Sequence, residues 1–355
     1  MSRIQELETA DARSVEAFDA IIDVRSPGEF ALDHLPGAVS LPVLSDAERA
    51  EVGTIYVQDS RLRANRIGAA YVARNIARHL ESTLADKPAD FAPLVYCWRG
   101  GQRSNSMATI LSRVGWRTAV LVGGYRTYRR GVQARLYETP CTLSLVLLDG
   151  NTGLGKTEIL NRLPEHGLQV VDLEGLAGHR GSLFGGLAGR PQPSQKMFES
   201  RLIQVIDSLD PARPVVVEAE SSKIGDLMVP PAFWRAMQSA PRIQLAAPRV
   251  ERARYLVRAY HDIIADKVAL ETAFRSLPVY PAERRLENWR RMAATGDFEA
   301  LAETLIELHY DPAYDRGRRK AGSSLLAQID LASLDETALG EATAAIASVV
   351  WTALN

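Results

Sequence analysis

The chain has 355 residues, too many for one ordinary hydrophobic core, so two or three domains are expected. Its 46% apolar and 24% charged residues exclude a disordered or fibrous chain, and a formal net charge of −1 excludes a basic field over the whole molecule. Two cysteines exclude a disulfide framework and suggest a reducing compartment, and the charged Met1–Glu8 segment has no apolar signal core. The longest apolar stretch, near Ala344 to Leu354, is too short to span a bilayer. A cytoplasmic, α/β, membrane-free protein is the expectation.

In chain order, Ile21–Val24 predicts a short strand and Ser26–Phe30 a helix start. Ser60–Leu84 has helical apolar spacing with arginine-rich polar faces, Leu94–Tyr96 is apolar enough for a buried strand, and Ala119–Gly124 predicts another strand. Such alternation predicts a parallel sheet with helices on both faces, ending near residue 135 after a basic helical connector. A second α/β unit, 136–248, opens on the strand Leu143–Leu148 and includes Pro214–Glu218. Beyond it, 249–355 reads as helices, dense in arginine and tyrosine up to Lys320 and without a basic residue after it.

Cys97 ends the strand Leu94–Tyr96 and opens the loop Cys97-Trp98-Arg99-Gly100-Gly101-Gln102-Arg103-Ser104, which runs straight into a helical pattern. A thiol beneath the amides of a helix start and beside Arg99 and Arg103 should ionise easily, which makes Cys97 a candidate nucleophile in an oxyanion cradle. Cys141, at the start of an apolar strand, is expected to be structural or, failing that, a resolving thiol for Cys97. The segments Asp23–Phe30 and His34–Val39, read with this loop, resemble the signature of rhodanese-like domains. His34 is expected to support its loop. The five residues between Cys97 and Arg103 are one more than most small sulfurtransferases have, and match rhodanese-fold phosphatases and arsenate reductases, whose larger loop takes a tetrahedral oxyanion.

Gly150-Asn151-Thr152-Gly153-Leu154-Gly155-Lys156-Thr157 is a complete G-x-x-x-x-G-K-T phosphate loop between a strand and a helix. Its amides would hold a diphosphate, Lys156 would bridge the oxygens, and Thr157 is placed to ligate Mg²⁺, with Glu218 or Glu220 as further candidates to hold a magnesium. The strand Val215–Val217 ends in Glu218-Ala219-Glu220, without evident machinery for nucleotide hydrolysis. Glu218 and Glu220, together with His179, Arg180 and Ser182 of the glycine-rich stretch 172–185, are expected to line a substrate. Arg126, Arg129, Arg130, Arg252, Arg254, Arg258, Arg284 and Arg285 are candidates for an RNA surface, with Tyr255, Tyr260 and Trp289 available to stack on bases.

The union of a Cys-Trp-Arg-Gly-Gly-x-Arg-Ser rhodanese-like unit with a P-loop unit carrying Asp-Leu-Glu-Gly-Leu-Ala-x-His-Arg-Gly-Ser resembles bacterial tRNA 2-selenouridine synthases over nearly the whole chain. That resemblance implies two steps at wobble position 34: geranylation of 5-substituted 2-thiouridine by geranyl diphosphate, then replacement of the S-geranyl group by selenium from selenophosphate. It implies a perselenide on Cys97, phosphate held by Arg99 and Arg103, and geranyl diphosphate held by Lys156 and Thr157. Lysine, glutamate and glutamine tRNAs and a selenophosphate-supplying enzyme are the implied partners, and no tightly bound cofactor is implied. The residues alone leave two alternatives: a rhodanese-fold phosphatase or arsenate reductase fused to a nucleotide-binding domain, and a nucleotide-switched RNA-binding regulator.

Overall fold

A computed structural model describes residues 4–180, 191–275, 283–312 and 324–354. They fall into two compact units, 1–139 with 194–207, and 140–193 with 208–355.

The first unit is built on a five-stranded parallel sheet: β1 (Gln5–Leu7), β2 (Ala20–Asp23), β3 (Ala38–Ser40), β4 (Pro93–Tyr96) and β5 (Ala119–Leu121), in the order β1-β5-β4-β2-β3. Central β4 is buried along its whole length, as a parallel strand covered on both faces must be. Val95 packs with Ile22, Met107 and Leu111 in the core between sheet and helices. Between β3 and β4 stands a helical pair, Asp46–Gln58 and Arg61–Glu81, the first started by a Ser45–Glu48 capping box and the second by Ser60.

The helix Gln195–Ser208 packs across the expected boundaries. Its sequence lies within the stretch read as the second domain, yet residues 194–207 belong to the first unit. It buries Met197, Phe198, Leu202 and, with them, the carboxylate of Glu199. A buried charge needs a partner, and Arg129 supplies it through a direct ion pair; Tyr137 (2.6 Å) and Gln195 (2.9 Å) donate to the other oxygen. Arg129, expected on an RNA surface, is therefore an interior residue.

The second unit holds β6 (Leu145–Asp149), β7 (Gln169–Val171), β8 (Val215–Glu218), the short hairpin β9 (Lys223–Ile224) and β10 (Leu227–Met228), then β11 (Arg242–Ala246) and β12 (Leu325–Asp330). Its main sheet is parallel, in the order β12-β11-β6-β8-β7. The expected helical C-terminal region, 249–355, carries one strand besides its helices. The tail returns as edge strand β12, and the helix Glu336–Leu354 places Leu339, Ile346 and Val350 against Ile159 and Leu160 of the helix after the phosphate loop. The helices between β11 and β12 gather around Phe274, Leu286 and Trp289. Among the described residues no helix is long and apolar enough to cross a membrane.

Glu199→Ala should strand Arg129 in the interior and destabilise the first unit by about 3–5 kcal/mol. Urea unfolding of the full chain should show this as a lowered midpoint, and Arg129→Met with Glu199→Leu should restore most of it; an unshifted midpoint for Glu199→Ala would show that the pair does not support the fold.

Candidate active site

Cys97 follows β4 directly, and its loop is pressed against the turn after β5. The Tyr125 amide donates to the Cys97 carbonyl at 2.8 Å, the Arg126 amide donates to that of Trp98 at 3.3 Å, and the Trp98 and Tyr125 rings stack at 5.2 Å. Gly124 has φ +58°, and a β-carbon there would stand 2.1 Å from the Cys97 carbonyl oxygen, so no other residue fits.

The loop then turns its amides inward. Cys97 Sγ, 3% exposed, accepts from the Gly101 amide at 3.2 Å and lies 3.2 Å from the Ser104 hydroxyl. Burial pushes the thiol up, but hydrogen bonds from the Ser104 hydroxyl and from the Ser104, Arg99 and Gly101 amides outweigh it and hold the thiol below its ordinary value. Arg103 is half-buried and donates to Glu29 Oε2 at 3.0 Å; Arg49 reaches the same oxygen at 3.1 Å. Burial alone would raise the Glu29 carboxyl, yet Arg103 keeps it below the usual range, so the carboxylate fixes Arg103 beside the loop. Arg99 is exposed on the loop. His34 holds its own segment, stacked on Phe30 at 3.8 Å with Nδ1 2.9 Å from the Phe30 carbonyl.

In the second unit the phosphate loop joins β6 to the helix Lys156–Arg162. Gly150, Gly153 and Gly155 all have positive φ, and a β-carbon on Gly153 would stand 2.9 Å from the Arg252 carbonyl. Lys156 Nζ curls over the loop to the Gly150 carbonyl at 2.9 Å. Arg252, 5% exposed, donates to the Thr152 carbonyl at 2.9 Å and pairs with Asp311 at 2.7 Å, while Asn151 donates to the same carboxylate at 2.7 Å. Arg252 thus braces the loop from inside and does not face solvent.

Beside the loop lies a group of carboxylates. Thr157 donates to Glu174 at 2.7 Å, and the Glu174 amide donates to Glu218 Oε1 at 3.0 Å. Burial first, then the Glu220 carboxylate, push Glu174 up to about 8. Glu218 is fully buried at the end of β8 and held well above the carboxylate range by burial and by Asp172. His179 is lowered by burial, against the pull of Glu220 and Asp226, and Arg180 lies 4.9 Å from the Tyr260 ring centre. The structure brings Thr157, Glu218 and Glu220 together around Glu174. Ser182 lies outside the described residues.

Thr152 also borders an apolar cavity whose walls include Leu256, Tyr260, Ile263, Leu270 and Leu301. It measures about 70 Å³, against the roughly 10–15 Å³ that one water needs. A short hydrocarbon chain suits it better than a polar group.

The basic candidates separate. Arg126 and Arg130 are exposed on the helix Tyr125–Gln133, and Arg284 and Arg285 on Glu283–Thr295. Arg254 is exposed but paired with Glu251 at 2.7 Å, and Arg258 donates to the Leu334 carbonyl at 2.7 Å. Trp289 is 2% exposed, a core residue with no face for a base.

Two family models match successive parts of the chain. The rhodanese-like domain profile matches residues 5–130, and that of the tRNA 2-selenouridine synthase AAA domain matches 143–276. A Bordetella bronchiseptica protein named tRNA 2-selenouridine synthase is 34% identical, over 90% of this chain and 94% of its own. Proteins of the same name from Bdellovibrio bacteriovorus and Aeromonas salmonicida are each 36% identical, over 90% and 74% of this chain and 80% and 70% of theirs.

Ser104→Ala removes a donor that favours the Cys97 thiolate, so the thiol should rise. Alkylation by iodoacetamide near neutral pH should slow, by about tenfold for each unit of rise, with the rate profile displaced to higher pH. An unchanged profile would show that Ser104 does not tune the thiol.

Proposed function

The chain belongs to the tRNA 2-selenouridine synthase family, and from that premise we propose that it geranylates 5-substituted 2-thiouridine at tRNA position 34 and then exchanges the S-geranyl group for selenium. The observation that carries the first step is the apolar cavity bordered by Thr152 of the phosphate loop. A ligand with a diphosphate at one end and a hydrocarbon at the other suits both features. A nucleoside would bring polar edges to Leu256, Ile263 and Leu270, which have nothing to pair with them.

In the first step the thiouridine sulfur attacks C1 of geranyl diphosphate. The C–O bond breaks, and diphosphate leaves with the electron pair into the amides of Gly150–Thr157 and toward Lys156. Alkylation leaves the base neutral once the ring N–H proton departs, and Glu220, beside Glu174, is suited to receive it. The Thr157 hydroxyl and Glu174 suit a Mg²⁺ that takes its remaining ligands from the diphosphate and water. His179 and Arg180, on the segment after Glu174, complete the lining.

The second step uses the first unit. Alkylated sulfur is a far better leaving group than a thiocarbonyl, so C2 becomes open to displacement. Selenophosphate brings a tetrahedral anion to the Cys97–Arg103 loop; Arg99 and Arg103 hold its phosphorus oxygens, the Cys97 thiolate attacks selenium, and the Se–P bond breaks with its electron pair leaving on phosphite, so that Cys97 carries selenium as a perselenide. The perselenide selenium adds at C2 and expels geranylthiolate. An external thiol then attacks the Cys97 sulfur, breaking the S–Se bond so that the 2-selenouridine leaves with its electron pair and Cys97 is left in a disulfide that a second thiol reduces. The substrates are tRNAs with 2-thiouridine at position 34, those for lysine, glutamate and glutamine, and an enzyme supplying selenophosphate is the required partner.

Mass spectrometry of tRNA nucleosides separates the halves. Cys97→Ser should accumulate S-geranyl nucleoside and form no selenonucleoside, whereas Lys156→Ala should cut geranylation by about a hundredfold or more. Full selenation by Cys97→Ser, or full geranylation by Lys156→Ala, would remove the role assigned to that residue.

A further inference from the structure

The helix Arg61–Glu81 carries five arginines, at 61, 63, 66, 74 and 78, against one acid, Glu81. All five are exposed. Arg63 pairs with Asp59 at 2.6 Å, but among the described residues Arg61, Arg66, Arg74 and Arg78 have no carboxylate within ion-pair distance. That sets them apart from Arg129 and Arg252, whose charges are consumed inside the fold.

The helix is seated by its other side. Ala64, Gly68, Asn75 and Ile76 are buried, and a β-carbon on Gly68 would touch Val52 of the Asp46–Gln58 helix at 3.4 Å. The nearby acids are occupied: Glu51 accepts from Tyr71 at 2.8 Å, and Glu48 caps Ser45 and accepts from Asn75 at 2.9 Å. On the outer face the gaps between arginines are filled by alanines 69, 70, 73 and 77, all exposed. From Arg63 to Arg78 the row runs about 22 Å. The tip adds Tyr56, beneath the Arg61 guanidinium at 5.4 Å, and Leu62, 80% exposed.

We propose that this arginine–alanine face is a tRNA-binding surface of the first unit, contacting the phosphate backbone, with Tyr56 and Leu62 meeting an unstacked base. The proposal rests on tRNA being the substrate. Uncompensated arginines can release counterions on meeting phosphates, and alanine side chains let a sugar–phosphate backbone come close. An acidic protein partner would take the same charge, but the guanidiniums stand in a row along the helix as backbone contacts require.

The test is binding of a 2-thiouridine tRNA by the full chain, across a salt series, for wild type and Arg66→Ala/Arg74→Ala. Both positions are outside the two reactive loops, so Cys97 alkylation should match wild type and report an intact first unit. The double variant should bind about tenfold more weakly at low salt, and its log–log salt slope should flatten by about 1–2. Tyr56→Ser/Leu62→Ser, tested alongside, should weaken binding with no change of slope. Wild-type affinity and slope in both variants would overturn the surface while leaving the tRNA reading intact; failure of the wild type itself to bind tRNA would overturn both. Unchanged tRNA binding with lost binding of polyglutamate would reassign the face to an acidic protein and also overturn the proposal.

Discussion

The Cys97 carbonyl meets the Tyr125 amide at 2.8 Å, and only a residue without a β-carbon at position 124 permits that approach. Everything the thiol does follows from this contact. It folds the loop back so that the amides of Arg99, Gly101 and Ser104 aim at sulfur, and those donors outweigh the burial that would keep the thiol protonated. The phosphate loop obeys the same constraint with other partners: Gly153 abuts the Arg252 carbonyl as Gly124 abuts that of Cys97. Each unit brings a parallel strand to its end, turns the chain through glycines, and leaves a set of N–H groups for an anion.

Behind the Cys97 loop lies a buried chain of charge and hydroxyl groups. Arg25, 1% exposed, is clamped by Asp23 at 2.5 Å and donates to the Asp33 carbonyl at 2.7 Å. Its guanidinium lies 4.1 Å from the Tyr125 ring centre, while Tyr96 donates to Asp23 at 2.7 Å and Tyr125 to Asp33 at 2.6 Å. Tyr96 precedes Cys97 in the chain and Tyr125 stacks on Trp98, so the network fixes both sides of the nucleophile. Such a network is stabilising only when every member is satisfied, which is why removal of one charge is expected to be costlier than replacement of a pair.

Much of this was legible in the residues. The strand before Cys97, the glycine turn, the phosphate loop and the capping box at Ser26–Glu29 are local patterns, and local patterns survive folding. What escaped was set by distant contacts. Arg129 and Arg252 read as surface cations because nothing near them in sequence shows that Glu199 and Asp311 will meet them. Trp289 read as a stacking platform because a helical arginine pattern does not reveal which side faces Phe274. Strand β12 was hidden because an edge strand with one covered side lacks the continuous apolar run of β4 or β6. Glu174 stood in a quoted motif without a role until Thr157 and Glu220 were seen beside it.

The helix Gln195–Ser208 interrupts the crossover between β7 and β8 and is surrendered to the other unit. The first unit thus takes a segment from within the sequence of the second, so the two do not follow each other end to end along the chain. A gene fragment stopping at Thr139 would lack the carboxylate that neutralises Arg129, and one starting at Pro140 would carry Met197 and Phe198 with no core to enter. The units cannot be exchanged as cassettes, so a lineage that keeps one fold keeps the segment that completes the other.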